Sequence, residues 1–393
     1  RLWFRSGGAA GLVLGAATVA LFAFADGGFF PSVWLPATVA LLSVAALAYV
    51  LHERARLTRA QALVAGALAA LAAWSALSAL WSPDAHASLL EARRTLVYVA
   101  AVVAAALVGG RLLAGVPAGL AVVCAYAVGE RLLHGPPDPP DPFQGTLLQE
   151  PIGYANGLAG LGGIGLAVAL VLLLRDPRRR LLGGLLAPLF FVTVLLTESR
   201  GAWLGVIVGA AVGGALALGR VRVARAIGAA AAVGLALLLA LPAGSLVDEL
   251  ADRAGDRAWY WHVAWQEAAE APLFGRGAGS FATSWLERLP VNVAVQDAHS
   301  VYLETLAELG LVGLALLVLA LGIPLAAALR GVEAAAAAGY VAFLVQAGVD
   351  WHWELPAVTV AGLLCGVAIL QERERRFFVP VVSTTEHPEQ GGS

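Results

Sequence analysis

Apolar residues fall in long runs separated by short polar breaks, and each run has the length that carries a helix across a bilayer core, about 17 to 25 residues. Runs near 9–25, 34–51, 62–81, 95–109, 115–133, 152–174, 181–197, 202–218, 226–241, 304–329, 334–349 and 355–371 predict twelve helices. Small residues recur at helical spacing within two of them. Gly7, Gly11 and Gly15 form one stripe, and Gly201, Gly205, Gly209 and Gly213 form another. Such stripes let transmembrane helices approach closely, so packing is their expected role.

The predicted fold class is therefore all-α: a polytopic integral membrane protein of about twelve transmembrane helices, with one long external loop between the ninth and tenth. Residues 1–393 form a single integral domain, since no stretch outside the runs is long enough to bury its own core. Within it, 242–303 is the external loop and 372–393 a cytoplasmic tail. Composition agrees: 60% of residues are hydrophobic, 13% are charged and mean hydropathy is +0.79. The first run is followed by Asp26-Gly27-Gly28 and a second span, so it reads as a retained helix and not a cleaved signal. The chain opens at Arg1 without an initiator methionine, as a trimmed start would. Cys124 and Cys365 lie in apolar runs, where a thiol behaves as a small hydrophobe; neither a disulfide framework nor a zinc site is expected.

Net charge is −2, but the placement of charge carries more information. All 25 basic residues are arginine. Most of them, including Arg54, Arg56, Arg59, Arg111, Arg175, Arg178, Arg179, Arg180, Arg220, Arg222, Arg225, Arg330, Arg373, Arg375 and Arg376, fall on one side of the predicted layout together with Arg1 and Arg5. The positive-inside rule puts that side and both termini in the cytoplasm of a cell membrane. The opposite, external side then carries Ser82–Arg94, a proline-rich His134–Pro151, the Glu198–Gly201 turn, the long Pro242–Leu303 segment and Asp350-Trp351-His352-Trp353-Glu354. Function is expected on that face. The spans hold almost no ionisable groups away from their ends, which weighs against an ion-coupled transporter.

Within the long loop, Trp261 and Trp265 stand four apart, as on one face of an amphipathic helix lying at the membrane surface. Pro272–Phe281 follows as a glycine-rich turn. Helix and turn together read either as an interfacial lid or as the cover of a site open to both water and lipid.

Three blocks concentrate the remaining polarity. Glu198-Ser-Arg-Gly-Ala-Trp-Leu-Gly205 starts a helix; Arg257, Trp261 and Ala264 precede Pro272-Leu-Phe-Gly-Arg-Gly-Ala-Gly-Ser-Phe281; and Ala298-His-Ser-Val-Tyr-Leu-Glu-Thr-Leu-Ala-Glu-Leu-Gly-Leu-Val-Gly313 opens the tenth span. In order and spacing they resemble the signature blocks of the O-antigen ligase and polymerase superfamily. Two departures stand out: Ala155 precedes Asn156 where the family often has proline, and Ser300 follows His299 where it often has asparagine.

The resemblance implies glycosyl transfer outside the cytoplasm, from an undecaprenyl-diphosphate-linked glycan donor to a hydroxyl on a glycan, lipid or protein acceptor, with inversion and without metal or cofactor. The residues suit that chemistry. A departing diphosphate gains negative charge, and the guanidinium fork matches phosphate oxygens bidentately. Arg200 and Arg257 are candidates for that clamp, with Arg276 a third substrate-binding candidate; the plainer readings are a helix-end anchor for Arg200 and a solvated loop residue for Arg257. Neutral His299 can accept the hydroxyl proton near neutral pH. Glu304 and Glu308 share a helix face and are candidates to orient His299 or an arginine, or else simply to complement the positive helix end. Asn156 and Trp261 complete the substrate-binding candidates. Asp248, Asp252 and Asp256 offer hard ligands in a row, but a solvated helix face is the simpler reading. No phosphate-cradling glycine loop suggests a nucleotide enzyme, and no nucleic-acid partner is expected. Two alternatives stay open: a repeat-unit polymerase of the same superfamily, and a transporter of lipid or solute.

Overall fold

The structure, a computed structural model, describes residues 3–51, 56–174, 177–240, 257–291, 293–330 and 333–378. The Asp248, Asp252 and Asp256 series, Arg54, Arg175 and the tail beyond 378 lie outside the described residues.

Fourteen α-helices make up the described chain, with no β-strand among the described residues. They are α1 (Trp3–Ala23), α2 (Pro31–Leu51), α3 (Arg59–Ser78), α4 (Ala85–Val108), α5 (Leu112–His134), α6 (Ala155–Leu172), α7 (Pro177–Thr197), α8 (Arg200–Ala217), α9 (Val221–Ala240), α10 (Arg257–Glu270), α11 (Phe281–Arg288), α12 (Val301–Ala328), α13 (Ala334–Ala347) and α14 (Pro356–Phe378). Eight of them, α2, α3, α5, α6, α7, α8, α9 and α12, are long and apolar enough to cross a membrane. Shorter apolar helical stretches lie at Gly8–Ala23, Ala334–Ala347 and Pro356–Gln371. The fourth predicted run, 95–109, lies on α4, whose first turns also carry Glu91, Arg93 and Arg94.

The core is built on α6 and α13, which are buried along nearly their whole length and pack against α8. The glycine stripe on α8 explains the tight fit. A Cβ on Gly209 would sit 2.4 Å from the Ala338 carbonyl oxygen, and one on Gly213 would sit 2.6 Å from the Ala338 side chain. On α1, Gly11 and Gly15 similarly meet the backbone around Gly109 and Gly115. By contrast α9 buries only Ala224 and Leu239 and turns most of its apolar surface outward.

Three expectations need correction. Ser82–Arg94 is not a loop, because α4 begins at Ala85 and its charged turns are buried by pairing: Arg94 bonds Glu91 and reaches Glu354 at 2.9 Å. Nor is the Trp261 face of α10 turned outward. Trp261 is buried among Tyr260, Val263, Phe281, Trp285 and Leu303, while Trp265 donates its indole N–H to the Leu239 carbonyl at 2.7 Å. Finally, the tenth predicted run is not one straight helix, since α12 breaks at Gly310 (φ 66°, ψ −165°).

The break explains the glycine-rich segment. Residues 272–281 thread across it, and their backbone satisfies the groups the break releases. Leu311 N–H donates to the Pro272 carbonyl (2.9 Å), and Gly277 N–H donates to the Glu308 carbonyl (2.7 Å). Irregular backbone at membrane depth is tolerated only where protein supplies such partners. Alternate glycines make the threading possible. All of Gly275, Gly277 and Gly279 have positive φ, and a Cβ at each would strike the Glu308 backbone, Ser82 or Ala87 respectively. The segment is thus a strap packed against α3, α4 and α12. Trp81 donates to the Gly275 carbonyl, Ser88 to the Ala278 carbonyl and Trp74 to the Leu309 carbonyl.

Candidate active site

The motif blocks come together at one end of the bundle, around the five residues 350–354 between α13 and α14. Helix α8 opens there. Ser199 caps it by accepting from Ala202 N–H (3.3 Å), and Arg200 is its first residue. Gly201 lies against Val349, the neighbour of Asp350: a Cβ on it would be 3.3 Å from the valine. Helix α12 opens from the same kind of turn, with Ser300 at its N-cap. In both cases the residue before the serine is in the left-handed region, Glu198 with φ 53° and His299 with φ 56°. Such a conformation costs a non-glycine residue about 1–3 kcal/mol and persists only where the surroundings hold it. It reverses the chain sharply, so Arg200 and His299 each stand at a helix mouth.

Asp350 is the hub. Its carboxylate, 2% exposed as a residue, accepts from Arg257 at 2.7 Å, from the Tyr154 hydroxyl at 2.8 Å and from the Trp351 N–H at 2.9 Å. Tyr154 in turn accepts from the Asn156 side-chain amide at 3.0 Å. Burial would push the Asp350 carboxyl upward, but Arg257, then His352 and His299, outweigh it and hold the group below its ordinary value. Asp350 is thus an anion that fixes Arg257.

His299 is half-buried, its ring 5.0 Å from that of Tyr260 and 6.4 Å from that of Trp351. Its Nδ1 lies 2.9 Å from the Asp297 carbonyl oxygen, which can only accept. Nδ1 therefore carries the proton and Nε2 keeps its lone pair. Burial lowers the pKa of His299, with Asp350 opposing, so the ring is neutral near pH 7. His352 has the other tautomer: its Nε2 donates to the Asn156 carbonyl at 2.9 Å.

Arg200 is exposed and makes no hydrogen bond or ion pair with a described residue, so its guanidinium is available. Arg257 spends one nitrogen on Asp350 and remains 29% exposed. The other candidates are placed elsewhere. Arg276 bonds Glu287 (3.0 Å) and Ser284 (3.1 Å). Glu304 accepts from the Ala298 N–H, and Glu308 accepts from the Gly279 and Phe281 N–H groups. These two carboxylates hold the histidine loop and the strap by their backbones, and neither makes a hydrogen bond or ion pair with the His299 ring or with an arginine among the described residues. Trp261 is a core residue of the hydrophobic cluster that α10 shares with Phe281 and Trp285 of α11.

Behind the site lies an acidic group. Carboxylate oxygens of Asp297, Glu304 and Glu354 all fall within 4.8 Å of one another, a spacing three ligands of one cation can have, although Arg94 already engages Glu354. Burial raises Asp297 to about 7, with Arg94 countering, and pushes Glu354 well above the usual carboxylate range. Three carboxylates at this distance resist simultaneous ionisation.

Sequence reasoning missed the holding residues. Asp350, Tyr154, Arg94 and Glu354 belong to no recognised block. The available signal was the charged and aromatic island 350–354 between two apolar runs.

A helical membrane protein with its polar machinery gathered at three helix mouths at one end of the bundle is the class these features define. Residues 185–318 match the family model described as O-antigen ligase, a stretch that contains Arg200, Arg257 and His299. Over that stretch the chain is similar to the O-antigen ligase superfamily. Among curated proteins, none matches the chain.

Proposed function

We propose that the protein transfers a glycan from undecaprenyl diphosphate to an acceptor hydroxyl on the external face of the membrane, with inversion, as a ligase. The observation that carries this reading is the pairing of a neutral His299, its Nε2 lone pair unspent, with two available guanidinium groups inside the matched stretch. Nε2 takes the proton of the acceptor hydroxyl as its oxygen attacks the anomeric carbon. The bond to the diphosphate breaks on the opposite side, and Arg200 and Arg257 receive the charge that develops on the phosphate oxygens. The N-termini of α6, α8 and α12 add the positive ends of three helix dipoles. Asn156 contributes by steadying Tyr154, and so Asp350 and Arg257, from a step away.

The test is the glycan profile of a strain lacking the protein, with carrier-linked and acceptor-linked material separated and sized, and with wild-type and His299→Ala complementation in parallel. Long chains stranded on the carrier support the ligase. Single repeats stranded there indicate the polymerase, and an unchanged profile moves the transporter reading forward.

A further inference from the structure

A groove of about 450 Å³ opens at the other end of the bundle, lined by Leu173, Pro177, Arg180, Leu181, Gly184 and Leu185. It lies at the start of α7, whose 21 residues put it about 30 Å from the Glu198 turn at 1.5 Å per residue. Two adjacent glycines shape it. Gly183 faces α6, where a Cβ would come within 2.7 Å of the Ala169 carbonyl oxygen, so the helices close there. Gly184 faces the groove, where a Cβ would meet only the Leu173 side chain at 3.9 Å, so its missing side chain leaves the floor open.

The walls are aliphatic and face outward: Leu181 is 66% exposed and Leu185 67%. In a helix of this hydropathy that exposure is to acyl chains. Among the described lining residues the cation is Arg180, whose Nε donates to the Leu173 carbonyl at 3.2 Å while its terminal nitrogens make no hydrogen bond to a described residue. Chain direction brings more positive charge to this end. Arg178 and Arg179 start α7, with Arg179 4.0 Å from Glu333; Arg220 precedes α9 and Arg222 lies in its first turn; and Arg225 donates to the Leu329 carbonyl at the end of α12 (3.0 Å). An open apolar groove with a guanidinium at its edge, on a rim rich in arginine, matches a phosphate headed by negative charge and tailed by hydrocarbon.

We propose that this groove binds an anionic phospholipid of the leaflet opposite the active site, its phosphate against Arg180 and one acyl chain along Leu173, Leu181 and Leu185 over Gly184. The site is independent of the transfer chemistry.

The full chain, exchanged into bilayers of equal phosphatidylglycerol and phosphatidylcholine, is released for native mass spectrometry and its retained lipid counted. The expected result is retention of phosphatidylglycerol over phosphatidylcholine by about five- to tenfold in the wild type, loss of that preference in Arg180→Ala, its survival in Arg180→Lys, and loss of both lipids in Gly184→Leu. Arg180→Ala, altered at a surface position, decides the matter if Gly184→Leu does not fold. Equal retention of the two lipids by the wild type overturns the proposal, as does undiminished phosphatidylglycerol in Arg180→Ala. Displacement of the lipid by millimolar inorganic phosphate also overturns it, since a site that reads only the anion would not need the groove.

Discussion

Arg257 and Asp350, 93 residues apart in sequence, meet at 2.7 Å, and the aspartate is held from its other side by Tyr154 and its own chain. A guanidinium tied in this way presents its remaining nitrogens in one orientation. Asp350→Asn keeps the shape but removes the charge that fixes Arg257. We expect transfer to fall about 100-fold, the usual cost of a misplaced catalytic group, with a small change in melting temperature. A wild-type rate in a single-turnover assay with Asp350→Asn would show that Arg257 needs no such holding.

Arg200 separates catalysis from stability more cleanly, because it has no partner among the described residues to lose. Arg200→Ala should reduce transfer about 10²- to 10³-fold, in the range of a lost transition-state donor, and leave the thermal midpoint unchanged. Arg200→Lys should recover only part, since an ammonium lacks the bidentate fork. A large drop in melting temperature for Arg200→Ala would favour the helix-anchor role.

The pH dependence of transfer reports on His299. Burial lowers its pKa, so the ring stays neutral to a lower pH than a solvated imidazole, and activity should be lost only as pH falls through a value below about 6.5. The acid limb of the rate profile measures this directly. An acid limb at or above the ordinary imidazole value would be inconsistent with His299 as the base in its buried setting.

Asp297 makes the opposite contribution to stability. Its folded pKa of about 7 lies above the unfolded value near 3.9, so the folded state binds more protons and stability declines as pH rises from about 4 to about 7. Asp297→Asn removes that decline. Its melting temperature should exceed the wild-type value increasingly across this interval, and a constant difference between the two proteins from pH 5 to pH 8 would rule the effect out.

Gly275 tests the strap. Alanine there would place a Cβ 2.1 Å from the Glu308 carbonyl oxygen at a φ of 70°, a combined steric and conformational penalty. We expect Gly275→Ala to lower stability by at least about 1–3 kcal/mol and to increase proteolysis within 272–281. Gly184→Ala, whose Cβ meets nothing closer than 3.9 Å, is the matched control.

Arg200 and His299 were legible as candidates from two polar islands set in apolar sequence, and Arg257 from the long loop between the ninth and tenth runs; the structure brings the elements that carry them to one end of the bundle. Glu304 and Glu308 were legible as a pair on one helix face, but not as caps for the histidine loop and the strap, because their partners are backbone amides that leave no mark in the side-chain pattern. Trp261 shows the limit in the other direction. Spacing of four places Trp261 and Trp265 on one face, yet spacing cannot tell whether that face meets lipid or the Phe281 and Trp285 rings.

By itself the sequence determined the membrane class, the helical composition and the position of each apolar run, since bilayer thickness and backbone hydrogen bonding leave a long apolar segment few other choices. Tertiary structure alone decided that α4 carries a buried Arg94 between Glu91 and Glu354, that α12 breaks at Gly310 under a glycine strap, and that Asp350 reaches Arg257. Each of these depends on partners distant in sequence. The free energy of burying a charge or breaking a helix is set by what the fold places opposite it, and local pattern does not record that.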